Sequence, residues 1–302
     1  MRITMLGTAA GLPTPQRSLP AVAVEVDGET ILFDCGEGTQ RQMMVAGISL
    51  CRKMKIFITH LHGDHIFGLP GLLQTMNLMN RSHPLHIFGP PGIDDFIRKV
   101  GFTLADPVFD LLVSEVCEGE IHREGRYNVE GAWAEHSRPS MAYRLTVGAS
   151  LGRFRPDRAK ALGVPEGPLW SVLKRGEEVE LEGGRTVHPA EVLGEPIRGR
   201  TLVYTGDTRP SESVVRLASG ADLLIHEATF GSELAENAES EGHSTAGGAA
   251  RVALKAGVGR LILTHISARY PDPTALEEEA RAIFGNTEVA HDFMTIQLQG
   301  QG

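Results

Sequence analysis

Thr59-His60-Leu61-His62-Gly63-Asp64-His65 places three imidazoles and a carboxylate within six consecutive positions. It follows Lys55-Ile56-Phe57-Ile58, a short apolar run bounded by polar residues, which is the pattern of a buried strand. The cluster therefore sits where a rigid strand runs out into a loop and then a helix. His60 and His62 alternate as on an extended backbone and can point to the same side. Asp64 and His65 fall where the chain turns and can face a second position nearby. Neutral imidazole nitrogen and carboxylate oxygen both suit a divalent ion such as Zn²⁺, and this spacing suggests two ions. A plainer account is a set of surface histidines beside a helix cap at Asp64, but four ligand types rarely coincide at this density.

Outward from the cluster, strands and helices alternate, an α/β pattern. Ala21–Val26 and Thr30–Phe33 flank Asp27-Gly28, a hairpin signal. Helical patterns cover about Gly38 to Ala46, Ile66 to Met79 and Ile93 to Val100, with a strand at Leu85–Phe88 stopped by Gly89-Pro90-Pro91-Gly92. Further strands end near His136 and span Met141 to Val147, Thr201–Tyr204, Asp222–Ile225 and Leu261–Thr264. Strands ending at Thr59, Tyr204, Ile225 and Thr264 each deliver His or Asp just beyond their ends, so the best further ligand candidates are His136, Asp207 and His265. Functional groups collecting at strand ends are what a rigid scaffold with one working edge produces.

The 302 residues, 41% hydrophobic and 22% charged, have the composition of an ordinary globular protein. No apolar run approaches the roughly 20 residues that span a bilayer, and Met1-Arg2-Ile3-Thr4-Met5-Leu6-Gly7 turns polar too quickly for a signal peptide. Cys35, Cys51 and Cys117 form no paired framework and read as reduced thiols, so a cytoplasmic location without membrane attachment is expected. The net charge of −9 argues against a nucleic-acid partner at first sight. From Arg144 to Gly176, however, seven basic residues face two acidic ones, a local charge of +5 against −14 elsewhere. That stretch holds Arg153, Arg155, Arg158, Lys160, Lys174 and Arg175, and is broken by Gly148, Gly152, Pro156, Gly163, Pro165, Gly167 and Pro168. It cannot be one regular element. It reads as an excursion from the domain, either a local hold on a polyanion or a solvated loop face.

The order of these candidates resembles the metallo-β-lactamase superfamily: an H-x-H-x-D-H core, a later His, an Asp in a G-D-T turn (Gly206-Asp207-Thr208) and a last His. Within it the chain resembles the tRNase Z family, which trims the 3′ ends of tRNA precursors. The resemblance is carried by Gly36-Glu37-Gly38-Thr39-Gln40-Arg41-Gln42, His226-Glu227-Ala228-Thr229, Gly242-His243-Ser244-Thr245-Ala246, Leu263-Thr264-His265-Ile266-Ser267-Ala268-Arg269-Tyr270 and Leu162–Leu169. It runs to about Tyr270, almost the whole chain. It implies one domain over 1–302 with an αββα four-layer sandwich, two mixed β-sheets face to face and helices outside, and a protruding flexible arm at about 148–176.

By position, the resemblance implies that His60, His62 and His136 bind one zinc, that Asp64, His65 and His265 bind the other, and that Asp207 bridges them. Two cations about 3.5–4 Å apart can share a hydroxide, lower its pKa and spread the charge of the attacked phosphate. Zinc is the expected metal, two ions per subunit, although manganese or another divalent ion also suits such ligands. Asp64 is expected to act as general base as well, and His243 as general acid or donor to the phosphate, oriented by Glu227. His226 is expected to support rather than ligate, and Asp34 to hold the site through hydrogen bonds. The remaining histidines match no motif.

The resemblance also implies that the basic segment, with its Gly167-Pro168 motif, grips the tRNA elbow through the phosphate backbone and the shape of the RNA. A homodimer is implied too, one subunit's arm presenting the tRNA precursor to the other's site; no DNA partner is expected. One departure is the loop Pro13-Thr14-Pro15-Gln16-Arg17-Ser18, where many relatives read P-x-K-x-R-N. It leaves open where the cut falls relative to CCA, and Arg17 either pairs with a phosphate or decorates a loop. The rival expectations are a phosphodiesterase or thioester hydrolase of the glyoxalase II kind acting on a small molecule, and an RNA-binding subunit without chemistry.

Overall fold

Strands that are apolar on both sides need a layer against each face, and this chain builds two such sheets. The computed structural model describes residues 1–101 and 107–298. In chain order the strands are β1 (Arg2–Gly7), β2 (Ala9–Ala10), β3 (Ala21–Val26), β4 (Glu29–Phe33), β5 (Met54–Phe57), β6 (Leu85–Gly89) and β7 (Leu111–Glu115). There follow β8 (Gly119–Glu124), β9 (Tyr127–Ala134), β10 (Ser140–Val147), β11 (Val179–Glu180), β12 (Thr186–Val187), β13 (Arg200–Tyr204) and β14 (Leu223–Glu227). The last are β15 (Leu261–Thr264), β16 (Ile266–Ser267), β17 (Thr287–Val289) and β18 (Thr295–Gln297). One sheet has the order β18-β1-β3-β4-β5-β6-β7 and the other β17-β15-β14-β13-β10-β9-β8. In the first, β4 to β7 run parallel, and in the second β13, β14, β15 and β17 do, while the other pairings are antiparallel.

The period-2 alternation of side chains sorts these strands into layers. On β4, Ile31 and Phe33 join the core between the sheets, whereas Leu32 joins the outer core. On β14, Leu223 and Ile225 face inward and Leu224 outward. The outer face of the first sheet is covered by α1 (Thr39–Val45), α2 (Gly63–Ile66), α3 (Gly68–Leu78) and α4 (Ile93–Gly101), through Met43, Ile66, Leu69, Leu72, Met76, Ile93 and Ile97. The helix expected over Ile66 to Met79 is α3, which starts at Gly68 because the short α2 at Gly63–Ile66 ends just before it. Later in the chain come α5 (Pro156–Ala161), α6 (Pro168–Lys174), α7 (Pro189–Val192), α8 (Glu212–Ala218), α9 (Ala235–Glu241), α10 (Ala246–Ala256) and α11 (Thr274–Arg281). Of these α8, α10 and α11 cover the second sheet. The result is the expected αββα four-layer sandwich.

Between the sheets, directly beneath the strand ends that carry the candidate ligands, lies an aromatic cluster. Phe57 stacks on Phe88 at 4.7 Å between centroids and meets Tyr143 edge-on at 5.6 Å, with Phe33 and Tyr204 beside them. The Tyr143 hydroxyl crosses from one sheet to donate to the Ile58 carbonyl of the other at 2.6 Å.

The excursion from the domain occupies the whole connection from β10 to β13, residues 148–199, and not only about 148–176. It contains α5, α6, the β11–β12 hairpin and α7, which bury Ala159, Val164, Leu173, Val179, Val187 and Val192 against one another. At its base Ser150 and Ile197 exchange both backbone hydrogen bonds, at 3.0 and 2.9 Å. Gly152 (φ +105°) lies so close to the Gly194 carbonyl that a side chain would collide with it. Taken whole, the excursion has eight basic and eight acidic side chains. The +5 window stopped short of Glu177, Glu178, Glu180 and Glu182, and it counted Arg144, which lies on β10 and donates to the carbonyls of Leu217 and Ser219.

Phe57→Ala removes the ring that joins both sheets, and is expected to cost about 3–5 kcal/mol of stability. Denaturant unfolding of the variant beside the unsubstituted protein measures it, and a loss below about 1 kcal/mol would refute the central role of this ring.

Candidate metal centre

Ligands in open α/β sheets collect beyond the carboxyl ends of parallel strands, and both sheets here present those ends to the same place. β4 delivers Asp34, β5 delivers Thr59 through His65, β13 delivers Asp207, β14 ends in Glu227 and β15 leads into His265. The β9–β10 turn adds His136, and the segment before α10 adds His243. Asp34 and His265 both have φ +57°, a left-handed conformation that turns each side chain back over its own strand end. Gly206 (φ +58°) lies against Thr59 so tightly that any Cβ would stand 2.6 Å from the Thr59 Cβ.

Two groups of potential metal donors result. His60, His62, His136 and Asp207 form one, and Asp64, His65 and His265 form another, each with its ligand atoms within 4.8 Å of one another. Asp207 belongs between them. Its Oδ2 is 3.5 Å from His60 Nε2 and 4.0 Å from His136 Nε2, and its Oδ1 is 3.3 Å from both His65 Nε2 and His265 Nε2. Asp64 Oδ2 is 3.4 Å from His265 Nε2 and 3.5 Å from His65 Nε2, and it accepts the Gly11 amide at 3.1 Å.

Asp207 is 2% exposed, and its Oδ1 makes no hydrogen bond among the described residues. A buried carboxylate oxygen without a partner is costly, and the Nε2 atoms of His60 and His136, 3.1 and 3.2 Å from His62 Nδ1, crowd the same space. A divalent cation in each group would satisfy all of these atoms, so the residues fit a two-metal site. At Asp207 and His60 the electrostatics point the same way. Burial opposes the charge on Asp207, yet the histidines around it, His265 and His65 foremost, hold it well below the usual carboxylate range. Burial, then the neighbouring His65 charge, pushes His60 well below the ordinary imidazole range, leaving it neutral as a metal ligand must be.

His243 stands in a third group with Asp207 and His265, but its Nδ1 is committed to Glu227 Oε1 at 2.8 Å. Burial disfavours the imidazolium, but the buried Glu227 carboxylate outweighs it and His243 is pushed up to about 9. It is thus built to hold a proton beside the metal groups rather than to ligate.

Residues 18–265 match the model of the metallo-beta-lactamase superfamily. The chain is 47% identical over 302 residues to the ribonuclease Z of Methanothermobacter thermautotrophicus, covering 99% of this chain and 97% of that protein. It is 44% identical over 311 residues to the ribonuclease Z of Brevibacillus brevis, covering 99% and 97%. The solved structure of human tRNase Z, short form, matches with a TM-score of 0.72 at 32% identity, over 99% of this chain and 100% of that one. The chain belongs to the ribonuclease Z family.

Of the residues expected at the site of this ribonuclease Z family member, all seven candidate ligands, with Asp34, Glu227 and His243, come together. His226 lies beneath them, fully buried, its Nδ1 donating to the Glu227 carbonyl at 2.8 Å, in a supporting position. Arg17 turns inward: one terminal nitrogen donates to Thr8 Oγ1 at 2.8 Å and to the Ala290 carbonyl at 2.6 Å. It fastens its loop to the C-terminal segment, where Asp292 also holds the Ser18 amide and the Thr8 hydroxyl. The expected arm residues are all in the excursion. Lys160 pairs with Glu166 and lies over Trp170, Lys174 lies over Phe154, and Arg175 pairs with Glu177. Gly167 (φ +138°) and Pro168 start α6. Arg153, Arg155 and Arg158 make no ion pair among the described residues.

Sequence reasoning passed over Thr59, Thr229 and Tyr204. The Tyr204 hydroxyl donates to Asp34 Oδ2 at 2.8 Å, and both threonine hydroxyls touch a carboxylate and an imidazole. In sequence, Thr59 adjoins His60, Thr229 closes the His226-Glu227-Ala228-Thr229 motif, and Tyr204 ends the strand before Gly206-Asp207-Thr208.

Replacing Glu227 by Gln removes the charge that raises His243, so its titration falls from about 9 toward the ordinary 6.5. Proton NMR of the metal-free variant measures this, and an unchanged midpoint would sink the pairing.

Proposed function

We propose that the protein is a zinc-dependent endoribonuclease that removes the 3′ trailer from tRNA precursors and leaves a 3′-hydroxyl. The carrying observation is Asp207 shared between two groups of donors beside a proton-bearing His243, in a chain whose relatives are named ribonuclease Z. His60, His62, His136 and Asp207 would hold one ion, and Asp64, His65, His265 and Asp207 the other. When bound, the ions supply positive charge for the phosphate and acidify the attacking water.

The chain's own residues supply the rest. Asp64, whose Oδ1 is bonded by no group among the described residues, takes the proton of the attacking water. The water oxygen bonds to phosphorus as the bond from phosphorus to the 3′-oxygen breaks. His243, with Nδ1 anchored on Glu227, gives the proton on Nε2 to that leaving oxygen, and the trailer keeps the 5′-phosphate. The excursion at 148–199 is the arm that holds the body of the RNA, with Arg153, Arg155 and Arg158 as its unpaired cations. Arg17 is then a loop strut and not a phosphate contact.

The active form is a homodimer. Its support on this chain is the apolar surface of α1, α3 and the residue before α3, where Met44, Val45, Phe67 and Leu78 stay exposed. No helix among the described residues is long and apolar enough to cross a membrane.

A trailer-bearing tRNA precursor with the zinc-loaded protein is expected to be cut once, near the discriminator base, and absence of any cut refutes the reading. In the same assay Asp64→Ala is expected to lower kcat by about 10²–10⁴ while RNA binding persists. Deletion of the arm has to respect its own core. Removing 151–174 would strand Val179, Val187 and Val192, so residues 149–198 are replaced together by a short linker. That protein should lose tRNA processing and keep hydrolysis of a small phosphodiester; full processing without the arm would remove its assigned role.

Light scattering gives the assembly state. Twice the 32.6 kDa chain mass is expected, and a persistent monomer at micromolar concentration overturns the dimer.

A further inference from the structure

Asp34 and Glu227 approach the site from different sheets, and both are at most 1% exposed. Each holds one imidazole directly. Asp34 Oδ2 is 2.7 Å from His65 Nδ1, and Glu227 Oε1 is 2.8 Å from His243 Nδ1. Each also reaches a second imidazole through a threonine. The Thr59 hydroxyl lies 3.0 Å from both oxygens of Asp34 and 3.0 Å from His60 Nδ1. The Thr229 hydroxyl lies 2.8 Å from Glu227 Oε2 and 2.9 Å from His265 Nδ1. The same two carboxylates accept the backbone amides of these threonines, at 2.8 and 3.1 Å, so the hydroxyls are fixed in place.

The proton count decides what this pattern does. A hydroxyl has one proton, and an ionised carboxylate only accepts. Thr59 and Thr229 therefore donate to Asp34 and Glu227 and turn a lone pair to the imidazole, which must carry its proton on Nδ1. Its Nε2 is then bare, and Nε2 is the atom of His60 and His265 that faces Asp207, at 3.5 and 3.3 Å.

We infer that Thr59 and Thr229 are positioning residues that set the tautomers of His60 and His265, one in each group of donors, so that a cation meets unprotonated nitrogens. This rests on the two-metal reading above. Thr59 serves the group around His62 and His136; Thr229 serves the group around Asp64 and His65. Through Glu227, Thr229 also ties a ligand of the second group to His243. A purely structural threonine would need only its methyl and its backbone.

The test separates hydroxyl from shape. Zinc is titrated into Thr59→Val, Thr229→Val, Thr59→Ser, Thr229→Ser and the unsubstituted protein against a chromophoric chelator, with thermal unfolding recorded for each. The valine variants keep the shape and are each expected to weaken one of two zinc ions by about 10–100-fold, while the serine variants bind as the unsubstituted protein does. Valine variants that bind both ions normally, or serine variants that fail equally, overturn the inference. Unsubstituted protein that binds no zinc overturns the two-metal reading itself, and the inference with it. Should a valine variant not fold, ring ¹⁵N shifts of the unsubstituted zinc-free protein decide: protons on Nδ1 of His60 and His265 support the relay, and a proton on Nε2 of either ring overturns it.

Discussion

The arrangement depends on one buried charge. Asp207, 2% exposed, sits where the two sheets converge, and an ionised carboxylate there costs several kcal/mol unless partners surround it. Its partners come from β5, from the β9–β10 turn and from the end of β15. The convergence of two sheets is therefore no incidental packing choice. One sheet could not supply imidazoles on both sides of the same carboxylate, and the aromatic layer from Phe57 to Tyr204 sets how far apart the two strand ends stand.

Local conformation pays for this convergence in strain. Asp34 and His265 are non-glycine residues at φ +57°, each of which costs on the order of 1–3 kcal/mol. What holds them is hydrogen bonding to neighbours as well buried as they are: Tyr204 and the Thr59 amide on Asp34, the Thr229 hydroxyl on His265. Proton placement follows the same economy. His136 Nδ1 is 2.7 Å from the Gly242 carbonyl, so with His60, His65, His243 and His265 five rings around the two donor groups have Nδ1 within hydrogen-bonding distance of a protein oxygen. His62 differs because its Nδ1 is the nitrogen that faces the site. It stands just before α2 at a half-buried position, where water can serve its other nitrogen.

Much of this was legible in the sequence. His60 to His65 stand together in the chain, and His136, Asp207 and His265 each follow an apolar run, so strand ends and ligand chemistry reinforced one another. The layers were legible for the same reason, since runs such as Ile56-Phe57-Ile58 need cover on both faces. Thr59 and Thr229 were not, because a threonine at a strand end is what β-propensity alone would supply, and its hydroxyl partner lies 25 residues away for Thr59. The extent of the arm was hidden for another reason. Its closing half, from Val179 to Val192, is short strands and one turn of helix with no strong period, and only the shared core with Ala159 and Leu173 shows that both halves form one unit.

That unit changes how a polyanion could be held. An excursion of +5 would attract RNA over a distance, but residues 148–199 are neutral as a whole, and the rest of the chain keeps the net −9. Long-range steering follows summed charge, so it does not favour approach here. What remains is local. Lys160 and Arg175 are paired, and Lys174 lies over an aromatic ring, whereas Arg155 and Arg158 line a cavity of about 510 Å³ beside Gly194. On the proposed reading, guanidiniums in such a place would meet phosphates at set positions, which suits a rigid RNA fold and gives little hold on an unstructured strand. On the proposed reading, selectivity for folded tRNA then comes from where three arginines stand relative to the metal groups, and only secondarily from how much positive charge the arm carries.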